Sequence, residues 1–173
     1  MNVPAELAAP EREDLIRASW LSHDARWFNA VAAEFGIAAA NRANRRAIRE
    51  AGVVEARRLQ RRLALPEIRT AGEFVAFTDA GRDLFVGDVV EMRSDVVDSR
   101  TYDVEVTRCF AAENISRAGL AADYECGIFD RIEGWHEGLG LPLAESVPGT
   151  RCMLANGLPC RRTLRIAATP TAD

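Results

Sequence analysis

The feature that most restricts this fold is a change of hydrophobic period near residue 86. Before it, apolar residues recur at helical spacing: Ile16, Trp20, Trp27 and Val31 stand four, seven and four positions apart, intervals that bring side chains to one face of a helix. Gly36 interrupts the pattern. IAAANRANRRAIREAG then predicts a second helix ending at Gly52, and VVEARRLQRRLAL a third ending before Pro66. Thr70 and Glu73 stand at capping-box spacing and open a fourth, shorter helix. After residue 86 the pattern changes. GDVVEMRSDVVDSRTYDVEVTR is valine-rich, alternates in its second half and is broken by a polar stretch, so it predicts a hairpin. FAAENISRAG predicts a short helix, and AADYECGIFDRIEGWHEGLG a longer one closed by Gly138 or Gly140. Within that helix Trp135 is expected to pack against the sheet, with His136 beside it at the surface. AESVPGTRCMLA and CRRTLRIAA flank the turn residues Asn156, Gly157 and Pro159 and predict a second hairpin. The expected class is α+β: a helical layer packed on a small antiparallel sheet with one buried helix. At 173 residues and 48% hydrophobic content the chain fits one domain with one core.

Charge narrows the partners. A net charge of -4 argues against nucleic acid and against an anionic membrane, both of which need concentrated positive charge. The charge is segregated: residues 41–70 hold nine arginines and three glutamates, whereas 71–140 hold fifteen acids and six arginines. The two segments are expected to face each other or pair internally, or else the basic one forms an anion-binding surface. Every basic residue is arginine, which excludes Schiff-base and lysine general-base chemistry, since guanidinium stays protonated. The N-terminal MNVPAELAAPEREDL lacks a secretory pattern and no apolar run approaches membrane-spanning length, so a cytoplasmic location is expected.

In a reducing compartment the four cysteines, Cys109, Cys126, Cys152 and Cys160, are not expected to form disulfides. Each falls near the end of a predicted element: Cys109 closes the hairpin, Cys126 lies in the first turns of the long helix, and Cys152 and Cys160 flank the last turn. A helix crossing the sheet would bring them to one point as metal ligands. Buried cysteine also serves as a small apolar packing residue, and the spacing is not that of a compact zinc ribbon.

A second stretch, SWLSHDARWF, places Trp20, His23 and Trp27 at i, i+3 and i+7, with Asp24 on the neighbouring strip. Two indoles around an imidazole would form a slot for a small planar ligand, with His23 and Asp24 as candidate catalytic groups and Trp20 and Trp27 as ligand walls. Packing is the competing account of such a face. Asn41 and Asn44, three apart on one helical face, can donate and accept and are candidate substrate-binding residues.

Cys126, Cys152 twenty-six residues on, and Cys160 eight further, with a glycine before the last cysteine, are similar to the zinc-binding end of the 4-vinyl reductase domain over residues 85–167. That pattern carries a glutamate three positions before the second of these cysteines, where this chain has Gly149. The resemblance therefore leaves Cys109, in RCF, as the replacement ligand and implies a zinc site of four thiolates, which iron or an iron–sulfur cluster would also accept. From residue 14 to 165, SHDARWF, EFGIAAANRANR, RCF, YECGIFDRIEGW and GLPCRR resemble the L-2-amino-thiazoline-4-carboxylic acid hydrolase family. That resemblance implies a hydrolase opening a C=N or C–S bond of a small heterocycle; the other implies a ligand-binding or sensory module with structural zinc, of a kind that pairs as a homodimer. The full expectation is a single domain over 1–173. It comprises a helical layer (10–85), an α+β half with the cysteine metal site (86–167) and a disordered tail (168–173).

Overall fold

The structure, a computed structural model, describes residues 7–146 and 151–168; Gly149 and positions 169–173 of the expected tail lie outside the described residues. Helix α1 (Ala9–Phe35) starts with Pro10 in its first turn, and Glu11 reaches back to the N–H of Ala8 at 2.8 Å. Gly36, at φ 85°, ends α1 and starts α2 (Ile37–Arg62), a backbone turn that a residue with a side chain adopts only under strain. Helix α3 (Ala71–Phe85) opens on the expected capping box: Thr70 Oγ1 accepts from Glu73 N, and the Glu73 carboxylate accepts from Thr70 N.

A 3-10 turn leads into β1 (Val90–Val96), which pairs antiparallel with β2 (Thr101–Cys109). After α4 (Phe110–Arg117) and α5 (Ile128–Gly138), β3 (Cys160–Arg165) adds to the free edge of β2, giving the order β1-β2-β3. The fold is thus α+β with a three-stranded antiparallel sheet. The expected second hairpin is corrected. Cys160 pairs with Val106 and Arg165 with Thr101, so β3 finds its partner some sixty residues back and not across the adjacent turn.

Two further expectations are corrected by the contact between α2 and α5. Gly52 does not stop a helix; α2 runs through it. A Cβ at Gly52 would lie 2.5 Å from the Arg131 carbonyl, one at Gly138 would lie 2.7 Å from the Val53 carbonyl, and one at Gly134 would collide with the Arg49 carbonyl. The three glycines let the two backbones approach closely, so Gly52 is retained for contact in mid-helix at the usual propensity cost of about 1 kcal/mol. His136, expected at the surface, is 1% exposed. It stacks on Phe74 at 3.7 Å between centroids, contacts the Tyr102 hydroxyl through Nε2 at 2.7 Å and the Leu141 carbonyl through Nδ1 at 2.8 Å. Trp135 packs edge-on against Phe77 of α3, at 6.3 Å, and donates to Glu55 at 3.0 Å.

The segregated charges do face each other. Arg45 of α2 grips Asp130 at 2.9 and 3.1 Å and reaches Glu125 at 3.0 Å, Arg49 meets Glu133 at 2.6 Å, and Arg131 of α5 makes a two-pronged contact with Glu55 at 2.6 and 2.9 Å. Ion pairs therefore flank the glycine seam, and α5 is buried between α2, α3 and the sheet. Among the described residues no helix is long and apolar enough to cross a membrane.

Candidate functional site

All four cysteines are free thiols, and the fold turns each inward by a different device. On β2 the side chains of Tyr102, Val104 and Val106 point into the core, so strict alternation would aim Cys109 at solvent. A bulge corrects this: Glu91 pairs with Arg108 and Met92 with Val106, leaving Thr107 unmatched. Thr107 and Arg108 both face outward, and Cys109 returns to the core at 7% exposure. Cys160 reaches the same side as the partner of Val106.

Cys126 is not in the helix, as its sequence context predicts, but two residues before α5 begins. This loop is fastened at both ends. The Asn41 amide donates to the Asp123 carbonyl at 2.7 Å and accepts from Glu125 N at 3.1 Å. Glu125 forms a bridge with Arg151, and Cys152 N donates to the Tyr124 carbonyl at 3.1 Å. That backbone pairing brings the Cys126 and Cys152 thiols together.

Their acidities are split accordingly. The Cys126 thiol donates toward Cys152, which with burial holds Cys126 well above its ordinary value. The same contact, helped by the backbone N–H groups of Ala155 and Leu154, brings Cys152 down to about 6 despite its burial. Burial raises Cys109, opposed by the N–H groups of Ala112 and Ala111, although no full side-chain cap bond forms there. Burial also raises Cys160 to about 11, and both Cys109 and Cys160 feel the charge of Cys152. Three of the sulfurs thus face amide N–H groups two or three residues further on, an arrangement that favours thiolate. Among the described residues no three of His, Cys, Asp and Glu stand close enough together to hold a metal ion; the closest association is the Cys126–Cys152 pair.

Two cavities lie beside Asp24, one of them against Cys109 and Cys126. The larger, about 100 Å³, is walled by Trp20, Asp24, Cys109, Tyr124, Cys126 and Arg131 among others. The smaller, about 50 Å³, carries Asp24, Asn29, Asn44, Asn114 and Tyr124. Asp24 and Tyr124 line both, so an apolar cavity with sulfur in its wall and a more polar one lie on either side of one carboxyl group. Burial raises the pKa of Asp24, against the opposing charges of Arg131 and His23. Tyr124, buried edge-on to Phe28 at 5.3 Å, keeps its proton well above the ordinary phenol range because of that burial. A more open depression of about 320 Å³ lies beyond the end of α5. Its one histidine, His136, has both ring nitrogens engaged.

The residues singled out in the sequence are divided by the fold. Asp24 faces inward and Asn44 is buried at the smaller cavity. Trp20 is 60% exposed yet contributes to the rim of the larger cavity. His23 and Trp27 point outward, Trp27 at 41% exposure, so the indole–imidazole–indole face does not form a slot within one chain. The Asn41 amide is engaged by the backbone at residues 123 and 125. Tyr124 and Arg131 escaped notice in the sequence. The signal for Arg131 was its opposition to the glutamates of the basic segment; nothing distinguishes Tyr124 beyond lying two residues before a cysteine.

The chain belongs to a family of unknown function, DUF6125, whose model matches residues 12–133. The matched span includes every residue in the walls of both cavities and leaves Cys152 and Cys160 outside it. No curated protein and no solved structure matches the chain.

Proposed function

We propose that this chain is a small-molecule hydrolase that takes a planar heterocycle into the cavity beneath α1 and opens a C=N or C–S bond of the ring with water; zinc at Cys109, Cys126, Cys152 and Cys160 would need these sulfurs to gather more closely than they stand here. The observation that supports this most directly is Asp24, a half-buried carboxyl group that lines both cavities, with Cys109 and Cys126 in the wall of the larger one. The resemblance to the L-2-amino-thiazoline-4-carboxylic acid hydrolase family points the same way.

Thiolate sulfur is a preferred soft ligand of zinc, but the four sulfurs are not gathered as a metal site among the described residues, and Cys152 alone has its thiol pKa lowered while Cys109, Cys126 and Cys160 are held above the ordinary thiol range. Zinc, when bound, supplies Lewis acidity or a bound water acidified to about 7 where a coordination position stays open. The remaining chemistry belongs to the chain. The apolar walls hold a flat ring and exclude bulk water. Asp24 retains a proton to higher pH than an ordinary carboxyl and so acts as a general acid. The oxygen of water bonds to the ring carbon, one proton passes to the ring nitrogen, and the other reaches the departing sulfur or nitrogen as the ring opens. Asn44 and the Tyr124 hydroxyl offer hydrogen bonds to the polar end of the ligand.

A second reading is favoured by the burial of Cys109, Cys152 and Cys160 at 7%, 3% and 6%. Four thiolates around zinc leave no open position, and the chain would then be a ligand-binding module of the 4-vinyl reductase type with structural metal. One preparation, purified without chelator, separates the two. Metal content and thiol protection are measured beside ring opening of 2-amino-thiazoline-4-carboxylate and related cyclic imines. The hydrolase reading expects turnover, three protected thiols per zinc and a loss of at least about 100-fold in kcat for Asp24→Asn. Four protected thiols with saturable binding of a small aromatic and no turnover would establish the module instead.

A further inference from the structure

Helix α1 is 27 residues long, about 40 Å at 1.5 Å per residue, yet Phe28 is its one fully buried residue. Leu21, Asp24, Ala25, Phe28 and Ala32 line the side turned toward the rest of the molecule. Beside them runs a separate stripe, Ile16, Trp20, His23 and Trp27, confined to about 60° of the helix circumference at 100° per residue. Among the described residues nothing covers it: Ile16 is 70% exposed, Trp20 60% and Trp27 41%, and His23 is exposed.

The four-three-four spacing of this stripe is that of a helix-pairing seam, and the stripe is complementary to itself. In an antiparallel pair related by a two-fold axis passing between Trp20 and His23, Ile16 of one copy meets Trp27 of the other and Trp20 meets His23. Every member finds its counterpart within the same four residues, as an isologous contact requires. We propose that this face of α1 docks a second copy of the chain, helix antiparallel to helix, across the Ile16, Trp20, His23 and Trp27 stripe. The area is of the right order. Two tryptophans and an isoleucine at these exposures present roughly 350 Å² of apolar surface per copy, rimmed by the exposed polar residues Arg12, Ser19 and Arg26. That matches the largest apolar patch of a typical monomer, which is often functional, and a pair needs the polar rims as well to approach the roughly 1,200–2,000 Å² of a stable interface.

Because Trp20 also contributes to the wall of the larger cavity, the pairing brings His23 of the second copy to the rim of that cavity. The site is then completed by two chains. The pairing itself does not depend on the chemistry proposed above.

Light scattering on the full chain eluting from a sizing column, at micromolar concentrations, tests it. The expected mass is twice 19.0 kDa, and Ile16→Glu and Trp27→Glu are each expected to elute as monomers with the circular dichroism of the parent and cooperative unfolding at a lower, concentration-independent midpoint. Mixing Trp20→Cys with His23→Cys protein under mild oxidation should give a disulfide between unlike copies and little between like ones. A monomeric parent, a dimer that survives both glutamate variants, or like-with-like crosslinking would overturn the proposal. A monomeric parent that sediments with phosphatidylserine–phosphatidylcholine vesicles would overturn it in favour of a lipid surface.

Discussion

His136 is held neutral by the fold, and that has a measurable cost in acid. Burial brings its pKa from 6.5 down to about 4, because a charged imidazole between Phe74 and the Tyr102 hydroxyl would be poorly solvated. The unfolded chain therefore binds a proton that the folded chain refuses between these two values. The stability contribution is complete above about pH 6.5 and is lost as pH falls toward 4, to a total of about 3 kcal/mol. Urea denaturation at pH 7.5 and 4.5 should show the loss, and the pH slope should be smaller in His136→Gln. Asp24 has the opposite sign in activity: kcat/KM that needs its protonated form should fall as pH rises through its elevated pKa, and no such limb should remain in Asp24→Asn. The sequence exposed Asp24 because it lies next to an aromatic stripe of clear period. It hid His136 because α5 is covered on several sides, and a helix without a solvent face gives no periodicity from which to tell inside from outside.

At the scale of elements, the glycine seam between α2 and α5 accounts for the main misreading of the helical half. Glycine at 52 carries the same letter whether it ends a helix or admits a neighbouring backbone, and only the presence of α5 against it decides. Gly134→Ala should destabilise the protein by about 1–3 kcal/mol, the range for forced overpacking, read as a shift in denaturant midpoint. Gly72→Ala, in the first turn of α3 with no atom within 4 Å of the added carbon, should be neutral or stabilise by up to about 1 kcal/mol. Caps were legible, since Thr70 and Glu73 are local in sequence and their hydrogen bonds are local in space. The partner of β3 was not, because alternation and turn residues identify a strand without naming the strand it will join.

Across the whole molecule, charge segregation was the most informative long-range signal. The excess of arginine in residues 41–70 and of acids in 71–140 left open whether the two regions meet, pair internally or offer an anion-binding surface, and the first is seen where Arg45, Arg49 and Glu55 engage the loop and helix from Glu125 to Glu137. Arg45→Met should cost about 2 kcal/mol: it strands Asp130, which is 9% exposed, but the arginine side chain is itself 26% exposed, and solvent screens part of what a fully buried pair would lose. Equilibrium unfolding of the variant, compared at low and high salt, checks this. The thiols were legible as residues near element ends and were expected to meet at one point; the contact seen is that of Cys126 with Cys152. Cys126 and Cys152 are joined by a backbone bridge at Glu125 and Arg151 that no local pattern announces.

The unmatched Thr107 has a consequence for how this strand tolerates length. A chain lacking that residue would run straight from Val106 through Arg108 and still send its sulfur inward, with no kink needed. A chain that kept Thr107 but flattened the kink would exchange the two side chains, bringing a guanidinium indoors and putting the thiol out in water. Parity over three positions thus decides whether the chamber has a cysteine or an arginine at its edge.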